Sequence, residues 1–209
     1  MSPQGITRRP TCGIASCAAA LTWIALFTIL SVTEIVRSII FFGISTFIAL
    51  YWIGHLGAKE ETAGATLTFF LAGSVVGTLL GGRIGDRIGA VRTVQVGSIM
   101  AVPALAALRL SPSPAVGLVF AAVVGVMINV PFAVLIKLGQ DYLPSRPGTT
   151  LGLAVSIGGL FTPTFGVIAD EYGTQAVFTV LCFIPIAAFA ISLFLSDPGR
   201  ALTLQEDTK

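Results

Sequence analysis

The chain has 209 residues, of which 55% are hydrophobic and only 11% carry a charge, and its mean hydropathy is +0.92. A soluble domain has about 25% charged residues, so this chain has too few charges to cover the surface of a soluble protein of its size. We therefore predict an all-α protein that crosses the membrane several times, because each helix satisfies its own backbone hydrogen bonds in lipid.

Six apolar segments follow one another along the chain, and most have about the twenty residues that a membrane-spanning helix needs. They cover residues 21–52, 62–80, 93–108, 115–136, 150–168 and 175–195. The first is long enough for two helices, but residues 30–38 contain no Gly, Pro or Asn that would favour a tight turn. We predict one long first helix, a six-helix bundle over residues 21–196, an N-terminal segment over 1–20 and a tail over 197–209.

The positive charges predict the orientation of these spans. With six spans and an inside N-terminus, nine Lys and Arg residues fall on the inside and only Lys59 and Arg109 on the outside, while Arg37 lies within the first span. Cytoplasmic loops carry the excess of positive charge in membrane proteins. The sequence therefore predicts that both ends, and the loop between spans 2 and 3, are cytoplasmic.

An internal repeat divides the six spans into two units. The pattern G-x-x-x-D-x-x-G at residues 82–89 returns 84 residues later, at 166–173, and GATL at 64–67 returns as GTTL at 148–151 with the same offset. Because each unit has three spans, the second copy is inverted in the membrane relative to the first. Inverted three-helix repeats are typical of secondary transporters.

The loop sequence GGRIGDRIGAVR, residues 81–92, resembles motif A of the major facilitator superfamily, which follows the second helix of a six-helix half. The family pattern is G-x-x-x-D-[RK]-x-G-x-[RK]-[RK], and the chain departs from it at Val91, where the family has a basic residue. The matching residues are Gly82, Asp86, Arg87, Gly89 and Arg92. The stretches around residues 37–53, 70–89 and 128–152 look most like the C-terminal half of bacterial drug exporters of the fosmidomycin-resistance type.

The resemblance implies half of a major facilitator fold and a gating role for Asp86, Arg87 and Arg92. Members of the superfamily normally have twelve helices in two halves, so the resemblance implies a half-size or truncated transporter that pairs with a second six-helix half or forms a homodimer. The other interpretation of the loop is that its arginines only fix the topology. It does not fit a nucleotide-binding loop, because the glycine spacing of such loops is missing.

The glycines and the aspartate of this loop also have a physical interpretation. We expect Gly81, Gly82 and Gly85 to let the helix end approach a neighbour closely, and Gly89 to take a turn conformation. Asp86 is expected to accept hydrogen bonds from a helix N-terminus or from an arginine, which would favour one closed arrangement.

Glu34, Arg37 and Asn129 are the candidates for a proton or substrate site within the spans. Glu34 and Arg37 are three residues apart and therefore share one face of the first helix. Charged residues at this depth tend to face a cavity or to pair, and they are functional candidates by default. Two other interpretations stay open: a local Glu–Arg pair that neutralises itself, and an Asn129 side chain that only joins neighbouring helices.

The sequence as a whole predicts proton-coupled efflux of a drug or metabolite by antiport, across a bacterial inner membrane. We expect a lipid bilayer and a small-molecule substrate as partners, and neither nucleic acid, metal nor organic cofactor; a proton gradient would supply the energy. The alternative is a non-transporting six-helix fragment or accessory subunit. An integral membrane enzyme is disfavoured, because the spans contain no set of metal ligands and no Ser/His/Asp set.

Overall fold

The computed structural model describes residues 14–111, 113–142 and 147–193, and all regular secondary structure in these ranges is α-helical. Much of the predicted N-terminal segment and the whole predicted tail lie outside the described residues. In chain order the helices are α1 (Ile14–Leu56), α2 (Glu60–Ile88), α3 (Ala90–Arg109), α4 (Pro114–Tyr142), α5 (Pro147–Leu160), α6 (Thr162–Tyr172) and α7 (Thr174–Ser192).

Among the described residues, six spans are long and apolar enough to cross a membrane, which confirms the predicted polytopic all-α fold. They are Thr28–Gly54, Glu60–Ile88, Ala90–Arg109, Ala115–Gln140, Gly152–Tyr172 and Thr174–Ser192. The first helix runs unbroken through Glu34 and Arg37. Span 5 is composed of α5 and α6, which are separated at Phe161.

The packing of the spans follows the symmetry of two inverted repeats. In the first unit α2 lies along α4, and in the second unit the corresponding α5 lies along α1. The contact of α3 with α4 is likewise matched by the contact of α7 with α1, and α3 packs on α7. In each unit, the second and third spans therefore pack against the first span of the other unit.

Gly89 and Gly173 occupy the same position in the two repeats and have the same backbone conformation. Their φ angles are +93° and +82°, and each glycine ends one helix and begins the next. Each donates its N–H to the carbonyl four residues earlier, which is Gly85 O and Ala169 O respectively. A positive φ disfavours any residue with a Cβ, so these two glycines are required by conformation. The internal repeat is therefore present in the backbone conformation of the two turns as well as in the sequence.

Glycines on one face of α2 bring that helix into backbone contact with α4. A Cβ on Gly73, Gly77 or Gly81 would overlap the carbonyl oxygens of Ala122, Val126 and Val130 respectively. Small residues every fourth position allow such an approach in membranes. Gly85 continues this face and lies against the Val134 side chain.

Gly82 does not belong to this contact, and the expectation of a close neighbour there is wrong. A Cβ on Gly82 would meet nothing within 4 Å. The physical reason is helical periodicity: a residue adjacent to Gly81 lies about 100° around the helix, so it faces away from α4.

In the part of the chain that the structure describes, two clusters of buried apolar side chains stabilise the bundle. The larger, the distal cluster, contains Tyr51, Trp52, Phe70, Phe178 and Leu181 among others. The smaller lies toward the loop at residues 81–92 and contains Leu30, Val91, Val94, Val134, Leu135 and Leu138. Along α1 and α4, buried polar residues separate the two clusters, and these residues form the candidate site.

Candidate functional site

Glu34, Arg37, Ser38 and Asn129 form a buried hydrogen-bonded group, here called the polar cluster. Arg37 Nη2 lies 2.6 Å from Glu34 Oε1, and Arg37 Nε lies 3.2 and 3.1 Å from the two carboxylate oxygens. Ser38 Oγ lies 3.3 Å from both Arg37 Nη2 and Glu34 Oε1. The spacing of three residues, which places Glu34 and Arg37 on one face of α1, therefore allows a bidentate ion pair.

The polar cluster joins α1 to α4. Arg37 Nη1 donates to Asn129 Oδ1 at 3.5 Å, and Asn129 Nδ2 donates to the carbonyl oxygen of Gly125 at 3.1 Å. The guanidinium carbon of Arg37 lies 4.4 Å from the centre of the Phe132 ring, a cation–π contact. Asn129, a candidate on a different span, thus lies in the same site as Glu34 and Arg37, and Ser38 and Phe132 also contact Arg37.

All four members of the polar cluster are withdrawn from the surface of the six-helix bundle. Glu34 and Ser38 are 0% exposed, Asn129 is 5% exposed and Arg37 is 7% exposed. A buried charge without a partner is costly, whereas a paired and hydrogen-bonded one is tolerated. The carboxylate and guanidinium of this pair therefore compensate each other's charge inside the bundle.

A small cavity adjoins the polar cluster on the side of α3 and α7. Its volume is about 20 Å³ and its lining includes Arg37, Ser98, Met127, Pro131 and Pro185. That volume holds one water-sized molecule. Because Pro131 has no N–H, the carbonyl of Met127 lacks its helical donor, so the lining has polar groups from three helices.

A wider groove lies on the other side of the cluster, between α4 and α5. It has a volume of about 540 Å³ and is lined by Phe132, Ile136, Gln140 and Ser156 together with Gly148, Gly152 and Val155. Phe132 therefore contacts both the Arg37 guanidinium and this groove.

The predicted loop at residues 81–92 is helical except at Gly89, and Asp86 in the last turns of α2 forms an ion pair with α4. Lys137 Nζ lies 2.7 Å from Asp86 Oδ1, and the two side chains are 63% and 65% exposed. The sequence led us to expect a helix N-terminus or an arginine as the partner of Asp86; within this six-helix unit the partner is Lys137. Since an exposed pair contributes about 0–1 kcal/mol, it can open readily.

Arg87 and Arg92 do not take part in this pair. Both are exposed, and within residues 14–111, 113–142 and 147–193 neither makes an ion pair or a hydrogen bond. Together with Gly82, whose open side also faces outward, they form a basic surface beside the Asp86–Lys137 pair. In the same ranges no three His, Cys, Asp or Glu residues lie close enough together to hold a metal ion.

Most of the chain matches one known protein family. Residues 12–208 match the model of the Major Facilitator Superfamily. The chain is 29% identical over 158 residues to the fosmidomycin resistance protein of Escherichia coli K12 and 27% identical over 158 residues to the uncharacterized MFS-type transporter YfnC of Bacillus subtilis 168. In both cases the match covers 74% of this chain and 38% of the relative, so the chain spans well under half the length of these relatives.

Solved structures show the same fold at low sequence identity. A bacterial homologue of the human drug peptide transporters PepT1 and PepT2 superposes with a TM-score of 0.70 at 19% identity, over 83% of this chain and 42% of the other. Tetrameric PepTSo2 superposes with a TM-score of 0.68 at 20% identity, over 81% of this chain and 40% of the other. At this identity the likeness establishes the fold.

Proposed function

Because the chain belongs to the major facilitator superfamily, we propose that it moves a small molecule across the membrane by alternating access, driven by a proton gradient. The family and the transporter relatives support membrane transport. Proton coupling, efflux by antiport and the residues that perform them are our proposal.

The buried Glu34–Arg37 pair is the observation that carries the proposal. Glu34 is the carboxylate of the polar cluster, it is fully buried, and its partner guanidinium also contacts Asn129 and Phe132. Intramembrane acids in such settings mark proton relays. Protonation of Glu34 would leave the guanidinium without its counter-charge, in contact with Asn129, Ser38 and Phe132. The loss of the counter-charge favours a different side-chain arrangement and links proton binding to the groove beyond Phe132.

We propose that the motif loop gates the cytoplasmic side and that both ends of the chain are cytoplasmic, in a bacterial inner membrane. The charge asymmetry of the loops supports this orientation. The Asp86–Lys137 pair would close the cytoplasmic ends of α2 and α4 and would separate when the site opens to that side.

We propose further that the transporting assembly contains a second six-helix unit, either in a longer polypeptide or in a second copy of the chain. The relatives are more than twice as long as the region they share with this chain. The open side of Gly82 and the unpaired Arg87 and Arg92 provide a surface for that unit.

Fosmidomycin is the first compound to test, because a relative is named for resistance to it. Cells that lack their own resistance protein would express the chain, alone and together with the upstream reading frame if that frame encodes six further helices. We expect growth in fosmidomycin to require Glu34. Glu34→Gln should abolish the resistance, whereas Glu60→Gln, an exposed glutamate at the start of α2, should leave it unchanged.

Two results would contradict the proposal. Resistance that survives Glu34→Gln would remove the proton site, while the transport function would stand. No protection against any compound in a panel of antibiotics, with the protein shown to be present in the membrane, would favour the non-transporting accessory subunit instead.

A further inference from the structure

The buried guanidinium of the polar cluster has one N–H group whose partner is not a described residue. The N–H groups of Arg37 Nε and Nη2 bond to Glu34 and Ser38. Nη1 carries two N–H groups, and its one hydrogen bond to a described residue is the 3.5 Å bond to Asn129 Oδ1. Because Arg37 is only 7% exposed, the second Nη1 N–H requires a partner inside the bundle.

Two further polar groups of this kind belong to the lining of the small cavity beside Arg37. Ser98 is 8% exposed, and its hydroxyl makes no hydrogen bond with any residue that the structure describes. The Met127 carbonyl lacks its α-helical donor, since Pro131 has no N–H. Arg37, Ser98 and Met127 all line this cavity, and they come from α1, α3 and α4 respectively.

The size and the chemistry of the cavity select its occupant. Its volume of about 20 Å³ exceeds the roughly 10–15 Å³ that one water molecule needs, and it is too small for an organic molecule. The Nη1 N–H requires an acceptor, the Met127 carbonyl requires a donor, and the Ser98 hydroxyl serves as either. The guanidinium repels a cation, and a chloride ion has no hydrogen to donate to the carbonyl. Water satisfies all three groups.

We propose that this cavity is the binding site of one ordered water molecule, which accepts a hydrogen bond from Arg37 Nη1 and donates to Met127 O and Ser98 Oγ. About three hydrogen bonds are typical of a buried water. Without it, three polar groups would be buried unpaired, which is costly within a membrane. The water links α3 to the polar cluster, whose hydrogen bonds among the described residues otherwise involve only α1 and α4. The site does not depend on the direction or the coupling of transport.

The first experiment compares two buried serines by unfolding the purified full chain in mixed micelles with increasing dodecyl sulfate. Ser98 and Ser74 are 8% and 7% exposed, and replacing either with Ala changes helix propensity equally. Ser74 Oγ donates to Phe70 O at 2.9 Å, a carbonyl that keeps its helical donor, so Ser74→Ala leaves no group unpaired. Ser98→Ala removes one partner of the water. We expect the unfolding equilibrium constant of Ser98→Ala to be about fivefold larger than that of Ser74→Ala.

A cavity without water would give the opposite order. The Ser98 hydroxyl would then be a buried group without a partner, and Ser98→Ala would be at least as stable as Ser74→Ala. That order, or equal stability, would overturn the proposal. Exchange of chloride for gluconate at constant ionic strength should leave the wild-type midpoint unchanged. A loss of stability confined to the wild type and absent in Ser98→Ala would identify chloride as the occupant and would also overturn the water site.

A crystal structure of the full chain, at a resolution that orders water, tests the site without any variant. We expect one density peak within about 3.2 Å of Arg37 Nη1, Ser98 Oγ and Met127 O. A map with no peak between these three atoms, or with a side chain in the cavity, would contradict the proposal.

Discussion

Two adjacent glycines in the motif loop should respond oppositely to alanine. In Gly81→Ala the new Cβ would overlap Val130 O and lie 2.9 Å from both the carbonyl carbon and Cα of Val130. These are backbone atoms and cannot rotate away, so α2 and α4 must separate. Overpacking of this kind costs about 1–3 kcal/mol.

Gly82→Ala is the matched control, because its Cβ would meet nothing within 4 Å. Replacing a helical glycine with alanine then contributes about 0.5–1 kcal/mol of stability through the lower backbone entropy of the unfolded chain. The entropy gain is common to both variants, which differ by one position and have the same composition, so their free energies of unfolding should differ by the overpacking cost of about 1–3 kcal/mol.

The assay is unfolding in mixed detergent micelles with increasing dodecyl sulfate, followed by the fluorescence of the buried Trp52. Gly81→Ala should unfold at a lower dodecyl sulfate fraction than the wild type and Gly82→Ala at the same or a higher one. If Gly82→Ala loses as much stability as Gly81→Ala, the assigned faces of α2 are wrong. If the open side of Gly82 contacts a second six-helix unit, Gly82→Ala should reduce transport while stability is preserved.

Three further predictions concern the ion pairs and the turns. Asp86→Asn and Lys137→Gln should each change stability by less than about 1 kcal/mol, because the pair is exposed; a larger loss in detergent unfolding would mean that the pair is buried in the assembly. Gly89→Ala and Gly173→Ala should each cost about 1–3 kcal/mol from the positive φ, and equal stability with the wild type would refute the turn conformation. Arg37→Met should destabilise the bundle by about 3–5 kcal/mol because it leaves the buried Glu34 unpaired, and the double variant Glu34→Gln, Arg37→Met should recover part of that loss.

Local sequence pattern was sufficient to predict the spans and the residues that α1 and α2 contribute to the candidate sites. Apolar run lengths identified six spans, the three-residue spacing placed Glu34 and Arg37 on one face of α1, and the glycine-rich repeat located the turn at Gly89. Each of these depends on helix periodicity and on residue type, which a sequence displays directly.

Contacts between distant helices could not be obtained in this way. Asn129 reaches Arg37 across 92 positions and Lys137 reaches Asp86 across 51 positions, and periodicity does not state which helices pack together or at what height. The symmetry of the repeats narrows the pairing of helices, yet the rotation of each helix depends on its packing. Gly82 illustrates this: one motif contains glycines that face α4 and a glycine that faces outward.

The separation of α5 from α6 within span 5 could be predicted only in part from the sequence. Pro163 removes one backbone donor, but proline within a helix is compatible with continued helical structure, as α3, α4 and α7 show at Pro103, Pro131 and Pro185. At Pro163 the preceding pair Gly158 and Gly159 adds two residues of low helix propensity, and there the helix separates into α5 and α6.

Proton movement is the most direct test of the central claim that the buried Glu34–Arg37 pair couples a proton to transport. The purified protein would be reconstituted in vesicles with a pH-sensitive dye inside, and fosmidomycin would be added as the probe substrate. The account predicts that fosmidomycin moves protons through the wild type and through Glu60→Gln, and that Glu34→Gln shows none above empty vesicles. Substrate-driven proton movement in Glu34→Gln equal to that of the wild type would contradict it.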